Sequence, residues 1–296
     1  MPNVPVDDIL IHPRDNDLIV GTHGRSIWVL DRIASLETLT PEAIRTEAFL
    51  VPPTKARLLS IYTPQAWYGA GQYFAPNPDF SAAVEYFLRS APGSQVSVTV
   101  ADSHGSLVRT LRAPARAGMN RVSWDLRMEP VSNTGRETLA GTIGGPLAGP
   151  LVLPGVYTVT VTVAGVGKPL KGELRVEGDP RVSFSDADRR SRQAALLTLY
   201  ELEKSLSAAR ASSATARVGA DTRLAQLQAE IAAELNTASA LSRAIEGYSG
   251  LPTSDQRRQI EWVVDDGSKT VDALNRVLRT ETPAPAQLMD IPAGRR

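Results

Sequence analysis

The sequence has no cysteine, which excludes structural disulfides, thiolate metal sites and cysteine nucleophiles. It also has no excess of either charge, because 32 Lys and Arg residues balance 32 Asp and Glu residues. Nucleic-acid-binding proteins usually carry a basic excess, so we expect no nucleic-acid partner. No apolar run reaches the ~18 residues that a transmembrane helix needs, so we expect no membrane span.

The first residues lack the pattern of a signal peptide. The stretch MPNVPVDD has neither a basic start nor an apolar core, so no signal peptide is predicted in this chain. If the intact protein is exported, we expect its signal to lie upstream. The composition, with 42% hydrophobic and 22% charged residues over 296 positions, is that of a globular chain with about two domains.

The beginning of the chain predicts a small group of strands. The stretch DLIVGTHGRSIWVLD, residues 17–31, indicates two strands around a tight turn, and VDDILIHP before it indicates a third. A hairpin with no partner sheet leaves its edges open. We therefore interpret residues 1–33 as the last part of a larger β domain whose other parts lie upstream. Residues 34–75 are mixed and contain prolines, which predicts a linker with one strand near residues 56–62.

Residues 76–180 show the two-residue period of half-buried strands. Val96, Val98 and Val100 alternate with polar residues, and the stretch GVYTVTVTVAG repeats the pattern. Several such strands, separated by Gly and Pro turns, predict an antiparallel sandwich. The Gly- and Pro-rich residues 141–155 lack the Gly-Lys-Ser/Thr of a phosphate-binding loop, so they are interpreted as a plain loop.

Residues 184–280 are predicted to form three antiparallel helices, followed by a flexible tail at 281–296. Ser185 fits the cap of the first helix, and Thr253 with Gln256 has the spacing of a capping box for the third. The second helix carries an apolar seam that fits either an oligomer interface or burial against the other two helices. Burial is favoured because those helices carry matching stripes. The seam comprises Leu224, Leu227, Ile231, Leu235, Ala238, Leu241, Ile245 and Tyr248.

No arrangement of residues predicts a catalytic, cofactor or metal site. His12, His23 and His104 are widely separated and lie next to turns, whereas a zinc site needs three or four convergent ligands. Asp7 and Asp8 are adjacent on a predicted strand. They would point to opposite faces and are not expected to act as an acid–base pair on one bond. We therefore assign no catalytic residue, no cofactor and no metal ligand.

The aromatic residues offer one candidate binding platform. Trp67, Tyr68 and Tyr73 cluster in QAWYGAGQYF and are the candidates for stacking on a carbohydrate, although pinning the linker against a domain is the favoured interpretation. Trp28 and Trp124 occupy positions that fit the apolar faces of strands. We expect both to pack in a core rather than to stack on sugars.

The first thirty residues resemble a known family. The stretch VPVDDILIHPRDNDLIVGTHGRSIWVLDRI resembles the closing stretch of the sortilin-type β-propeller, found in large bacterial exported proteins with BNR-type repeats that are often labelled glycosyl hydrolases. In such propellers a blade strand ends in Gly-Thr, turns through a glycine and returns with an aromatic residue. The matching residues here are Gly21, Thr22, Gly24 and Trp28.

The β region carries a second resemblance. The stretches VSVTVADSHGSLVRTLRAPARAGMNRVSWDLR and LPGVYTVTVTV are similar to the Ig-like domain of the flagellar hook-capping protein, in which a hairpin with the pattern D-x-x-G-x-x-V-R precedes a strand with the pattern G-x-N-x-x-x-W-D. The matching residues are Asp102, Gly105, Val108, Arg109, Gly118, Asn120, Trp124 and Asp125.

These resemblances imply a multi-domain β plus α architecture: a propeller-blade remnant at 1–33, an antiparallel Ig-like β-sandwich at 76–180 and an antiparallel three-helix bundle at 184–280. They imply a non-catalytic accessory or structural C-terminal region of an exported β-propeller protein, in the periplasm or outside the cell. It would support the upstream propeller domain or mediate an interaction with a protein or glycan ligand. Two alternatives stay open, namely part of a propeller glycoside hydrolase whose catalytic residues lie upstream, and a carbohydrate-binding module.

Overall fold

The computed structural model describes residues 3–14, 16–59, 81–131, 148–215 and 222–278. Within these ranges the chain is mixed β plus α, with strands followed by a C-terminal region of three long helices. The strands are β1 Val6–Ile11, β2 Leu18–Thr22, β3 Ile27–Leu30, β4 Ala48–Leu50, β5 Ala56–Leu58, β6 Ala82–Leu88, β7 Val96–Ala101, β8 Leu107–Ala113, β9 Gly118–Trp124, β10 Gly155–Thr162 and β11 Leu170–Gly178. The helices are the short α1 Ala34–Glu37, a 3-10 turn at Ala43–Arg45, and the long α2 Asp186–Thr215, α3 Thr222–Glu246 and α4 Ser254–Leu278.

The strands form three sheets with the orders β1-β2-β3, β5-β11-β10-β7-β8 and β4-β6-β9. Pairing is antiparallel in the first sheet, between β7 and both β8 and β10, and between β6 and both β4 and β9. The described residues fall into two compact units. The first unit lies within Met1–Ala56, Ala82–Trp124 and Val156–Arg175, and the second within Arg57–Ser81, Asp125–Gly155 and Val176–Arg296.

The core of the first unit follows from strand alternation. Val96, Val98 and Val100 of β7 have no exposed surface, while the polar residues between them are half-buried, which confirms the predicted pattern. Trp124 at the end of β9 is also fully buried, and its ring centroid lies 5.4 Å from that of Tyr157 in an edge-to-face contact. The expectation that Trp124 packs in a core is therefore confirmed.

Two polar residues fix the turns on either side of β8. The Asp102 carboxylate accepts hydrogen bonds from the amides of His104 and Ser106, both at 2.9 Å. Gly105 has a φ of 82° in this turn, a conformation that side chains other than glycine rarely adopt. After β8, the buried Asn120 side chain accepts a hydrogen bond from the Arg116 amide and donates one to the Arg116 carbonyl. These bonds give a physical reason for the aspartate, the glycine and the asparagine of the hairpin.

The three long helices share one hydrophobic cluster. The α3 seam is buried from Leu224 to Ile245, together with apolar residues of α2 and α4. The structure therefore supports burial of the seam against the other two helices. The expectation that the seam reaches Tyr248 is wrong, because α3 ends at Glu246 and Tyr248 is 63% exposed. Helical spacing buries a residue only as far as the helix continues.

Both predicted helix starts are confirmed. The Ser185 hydroxyl accepts a hydrogen bond from the Asp188 amide at 3.1 Å at the start of α2. At α4 the bonds are reciprocal: the Gln256 amide donates to the Thr253 hydroxyl at 3.1 Å, and the Thr253 amide donates to the Gln256 side chain at 2.9 Å. These bonds satisfy amide groups that the helices leave without a partner.

Candidate functional site

The three strands β1, β2 and β3 form the N-terminal sheet, which exposes an unusual amount of apolar surface. Neighbouring residues on a strand point to opposite faces, so the exposure of both Leu10 and Ile11 means that both faces carry apolar side chains. Scattered apolar residues on a surface are normal, but contiguous apolar patches mark interaction sites. The exposed members are Val6, Ile9, Leu10, Ile11, Ile27, Trp28, Val29 and Leu30, at 41–68% exposure.

Trp28 corrects one expectation. It is 41% exposed, and its indole N–H donates to the Arg25 carbonyl at 3.0 Å, so the expected core packing is wrong among the described residues. The reason is that every residue of β1 and β3 is exposed, which means that the described chain does not bury either strand. The strand pattern had marked the apolar positions correctly, but it does not reveal whether a second layer covers them.

Among the described residues near the start of the chain, the titratable side chains do not assemble into a site. His23 Nδ1 lies 3.3 Å from an Asp7 carboxylate oxygen on the exposed surface, whereas Asp8 accepts a hydrogen bond from the Ile9 amide. Within the described ranges no group of three or more His, Asp or Glu side chains is placed to hold a metal ion.

The three aromatic candidates for carbohydrate binding, Trp67, Tyr68 and Tyr73, lie outside the described residues. Their role therefore stays a prediction.

The second unit contains a cavity of about 440 Å³, which we name the arginine cavity after the guanidinium groups of Arg127, Arg189, Arg192 and Arg243 that line it. Its walls come from α2, α3 and the segment at residues 148–154. Sequence reasoning missed this site because its residues are far apart along the chain.

An ion pair joins two walls of the arginine cavity. The Arg127 guanidinium donates two hydrogen bonds to the Glu246 carboxylate, at 3.0 and 2.7 Å. Glu246 also accepts a bond from the Leu151 amide at 3.1 Å, and Arg127 donates to the Gly149 carbonyl at 3.0 Å. Two-pronged pairing of this kind is both strong and directional. It ties the segment around Leu151 to the C-terminal end of α3.

Glu203 places a buried carboxyl on the arginine cavity. Its side chain on α2 is only 3% exposed and accepts a hydrogen bond from the Ser242 hydroxyl at 3.1 Å. Burial raises the pKa of Glu203 to about 7, against the opposing effects of the Ser242 bond and of nearby Arg243. The sequence held one signal of this burial. Glu203 lies four residues after Leu199 and three before Leu206, which places it on the apolar stripe of the helix.

Two arginines of α2 gather around one aromatic ring. The guanidinium carbons of Arg189 and Arg192 lie 5.2 and 4.8 Å from the centroid of the Phe184 ring. Arg192 also donates to the Tyr248 carbonyl at 2.8 Å, and burial lowers its pKa. A Cβ at Gly178 would lie 2.8 Å from an Arg189 nitrogen, so glycine at this position leaves room for the guanidinium group.

Comparisons with known proteins give only weak matches. No protein-family profile matches the chain, and no curated protein matches it. One similar solved structure is PorZ of Porphyromonas gingivalis, a bacterial surface component of the type-IX secretion system, with 15% identity over 58% of this chain and 23% of that one, and a TM-score of 0.22. Another is a β-glucuronidase of Lactobacillus rhamnosus, with 10% identity over 94% of this chain and 42% of that one, and a TM-score of 0.17. The chain thus spans less than half the length of either protein.

Among the described residues, no helix combines the length and apolar character that crossing a bilayer requires.

Proposed function

We propose that this chain is a non-catalytic accessory region at the C-terminus of an exported β-propeller protein, and that its N-terminal sheet packs against the upstream propeller. The observation that carries the proposal is the apolar surface of that sheet. Eight large apolar side chains are 41–68% exposed on it. Covering apolar surface is favourable, by roughly 25 cal/mol for each Å² removed from water.

The open edges of the N-terminal sheet also support contact with the upstream propeller. In the order β1-β2-β3 both outer strands lie at edges among the described residues. Open edges with unpaired amides and carbonyls accept additional strands, and exposed sheet faces accept a second layer. A neighbouring propeller blade offers both kinds of contact, so it fits this surface better than a small-molecule ligand does.

The proposal assigns a part to each segment. Residues 1–33 are the blade remnant, 34–75 a linker, 76–180 an Ig-like β-sandwich, 184–280 a three-helix bundle and 281–296 a flexible tail. The sequence predicts one strand in the linker, but the structure has two there, β4 and β5. Antiparallel pairing in the strands and the shared apolar cluster of the long helices support these assignments. The extracytoplasmic location rests on the sequence resemblance alone.

The test compares amide hydrogen exchange in this chain with exchange in the longer polypeptide encoded by the extended reading frame. We expect β1 and β3 to exchange at least tenfold more slowly in the longer protein, while β7 and β10 serve as internal references with unchanged rates. Equal rates in β1 and β3, or a reading frame that encodes no upstream β domain, would refute the proposal.

A pair of matched variants locates the contact. Ile27→Asp adds a charge to a side chain that is 68% exposed on the N-terminal sheet, and Leu107→Asp adds one to a side chain that is 59% exposed on β8. In the longer protein we expect Ile27→Asp to restore fast exchange in β1 and β3, and Leu107→Asp to leave it slow. The opposite result would place the contact on a different surface.

A further inference from the structure

We propose that the arginine cavity binds a small organic carboxylate with a compact apolar body. The volume of about 440 Å³ lies within the range of sites that enclose small ligands. This inference concerns the second unit and does not depend on the proposed contact of the N-terminal sheet.

The charges that line the cavity do not cancel within it. Glu246 is bound by Arg127, and Asp179 is bound by Arg181 at 2.7 Å. Arg189, Arg192 and Arg243 form no ion pair with a carboxylate among the described residues. Their guanidinium groups favour an anion, and the planar fork of arginine matches the geometry of a carboxylate. This preference distinguishes a carboxylate from a neutral ligand of the same shape.

Glu203 does not remove this preference. Its carboxyl is buried and already accepts the Ser242 hydroxyl, and burial favours its neutral form. Arg243 and Glu246 of α3 face it with opposite charges. Arg192, three residues after Arg189 on α2, lines the same cavity, and its single hydrogen bond to the Tyr248 carbonyl leaves further N–H donors on the guanidinium.

The remaining walls favour an apolar ligand body. The residues from Leu151 to Pro154 and the side chain of Leu196 present hydrocarbon to the cavity, and Phe184 presents an aromatic ring. An inorganic anion would leave this surface in contact with water, whereas an organic acid would cover it. The hydroxyls of Ser239 and Ser242 provide polar contacts at the same cavity.

The test is titration calorimetry of the full chain with benzoate, with neutral benzamide of nearly the same shape, and with gluconate, a carboxylate with a polyhydroxylated body. We expect benzoate to bind at least tenfold more tightly than benzamide, since hydrogen bonds between charged groups are the stronger ones. Tighter binding of benzoate than of gluconate supports the apolar body. Equal binding of benzoate and benzamide, or no heat from benzoate at millimolar concentration, would overturn the proposal.

Variants link the binding to the cavity. Arg192→Gln should weaken benzoate binding about tenfold, and Arg243→Gln, at an exposed position, provides a second variant if the first does not fold. Arg190→Gln is the matched control, because Arg190 is exposed on α2 and does not line the cavity. Benzoate affinity that stays the same in both cavity variants, or that falls equally in the control, would contradict the assignment. A melting curve of each variant confirms that it is folded.

Discussion

Replacing Glu203 by glutamine tests how the helical region depends on pH. The carboxyl is 3% exposed, and burial raises its pKa from 4.5 to about 7. Because the folded state holds the proton more tightly than the unfolded state, the contribution of Glu203 to stability is fully present below pH 4.5. It declines as the pH rises through about 7. At ~1.4 kcal/mol for each pKa unit, the ionised carboxyl destabilises the folded chain by about 3 kcal/mol above that range.

Glutamine keeps the shape and still accepts the Ser242 hydroxyl, but it cannot ionise. We therefore expect the free energy of unfolding of Glu203→Gln, measured by urea denaturation, to fall less than that of the wild type between about pH 5 and about pH 8. The difference between the two proteins should reach about 3 kcal/mol. Titrating groups distant from Glu203 act equally in both proteins, so the difference reports on this carboxyl and on the charges that face it.

The matched control is Glu201→Gln, two residues earlier on α2. The Glu201 side chain is 40% exposed and pairs with Lys204 at 3.1 Å, an exposed ion pair that contributes little to stability. The free energy of unfolding of Glu201→Gln should change with pH as that of the wild type does. A pH slope of Glu203→Gln equal to that of the wild type, or one flattened as strongly in Glu201→Gln, would contradict the raised pKa of Glu203.

Glu246→Gln should lower the free energy of unfolding by about 2 kcal/mol, because it leaves the half-buried Arg127 without its charged partner. The control Glu230→Gln, in an exposed ion pair, should change the free energy of unfolding by less than about 0.5 kcal/mol. Equal effects of the two variants in urea denaturation would contradict this. Leu202→Ala should cost about 3 kcal/mol, since Leu202 has no exposed surface, and a cost below about 1 kcal/mol would count against the helical core described above. The purified chain should show no hydrolysis of glycosides, and turnover that survives repurification would overturn the non-catalytic role. It should also show no binding on a glycan array. Glycan binding that is lost in Trp67→Ala would favour the carbohydrate-binding alternative.

Features that arise from neighbouring residues could be predicted from the sequence. The alternation of Val96, Val98 and Val100 follows from the strand geometry, and the capping box of Thr253 and Gln256 follows from the helix geometry. Each involves residues within a few positions of one another. A pattern read from one segment is sufficient for such features.

The arginine cavity could not be predicted in the same way. Glu203 meets Ser242 from 39 positions away, and Arg127 meets Glu246 from 119 positions away. Such contacts depend on how distant segments pack, which no single stretch of sequence encodes. Trp28 and Trp124 illustrate the limit, because both occupy apolar strand positions, yet one is 41% exposed and the other is fully buried.

Because β10 lies between β7 and β11, the sheet cannot be completed until β10 is available to pair. Thr99 of β7 pairs with Thr160 of β10, so the whole β7–β8 hairpin is synthesised long before its partner strand β10. Until then the valine-rich β7 presents an unpaired edge, the kind of surface on which incomplete chains associate. Slow translation between these two strands would lengthen the interval during which that edge of β7 is exposed.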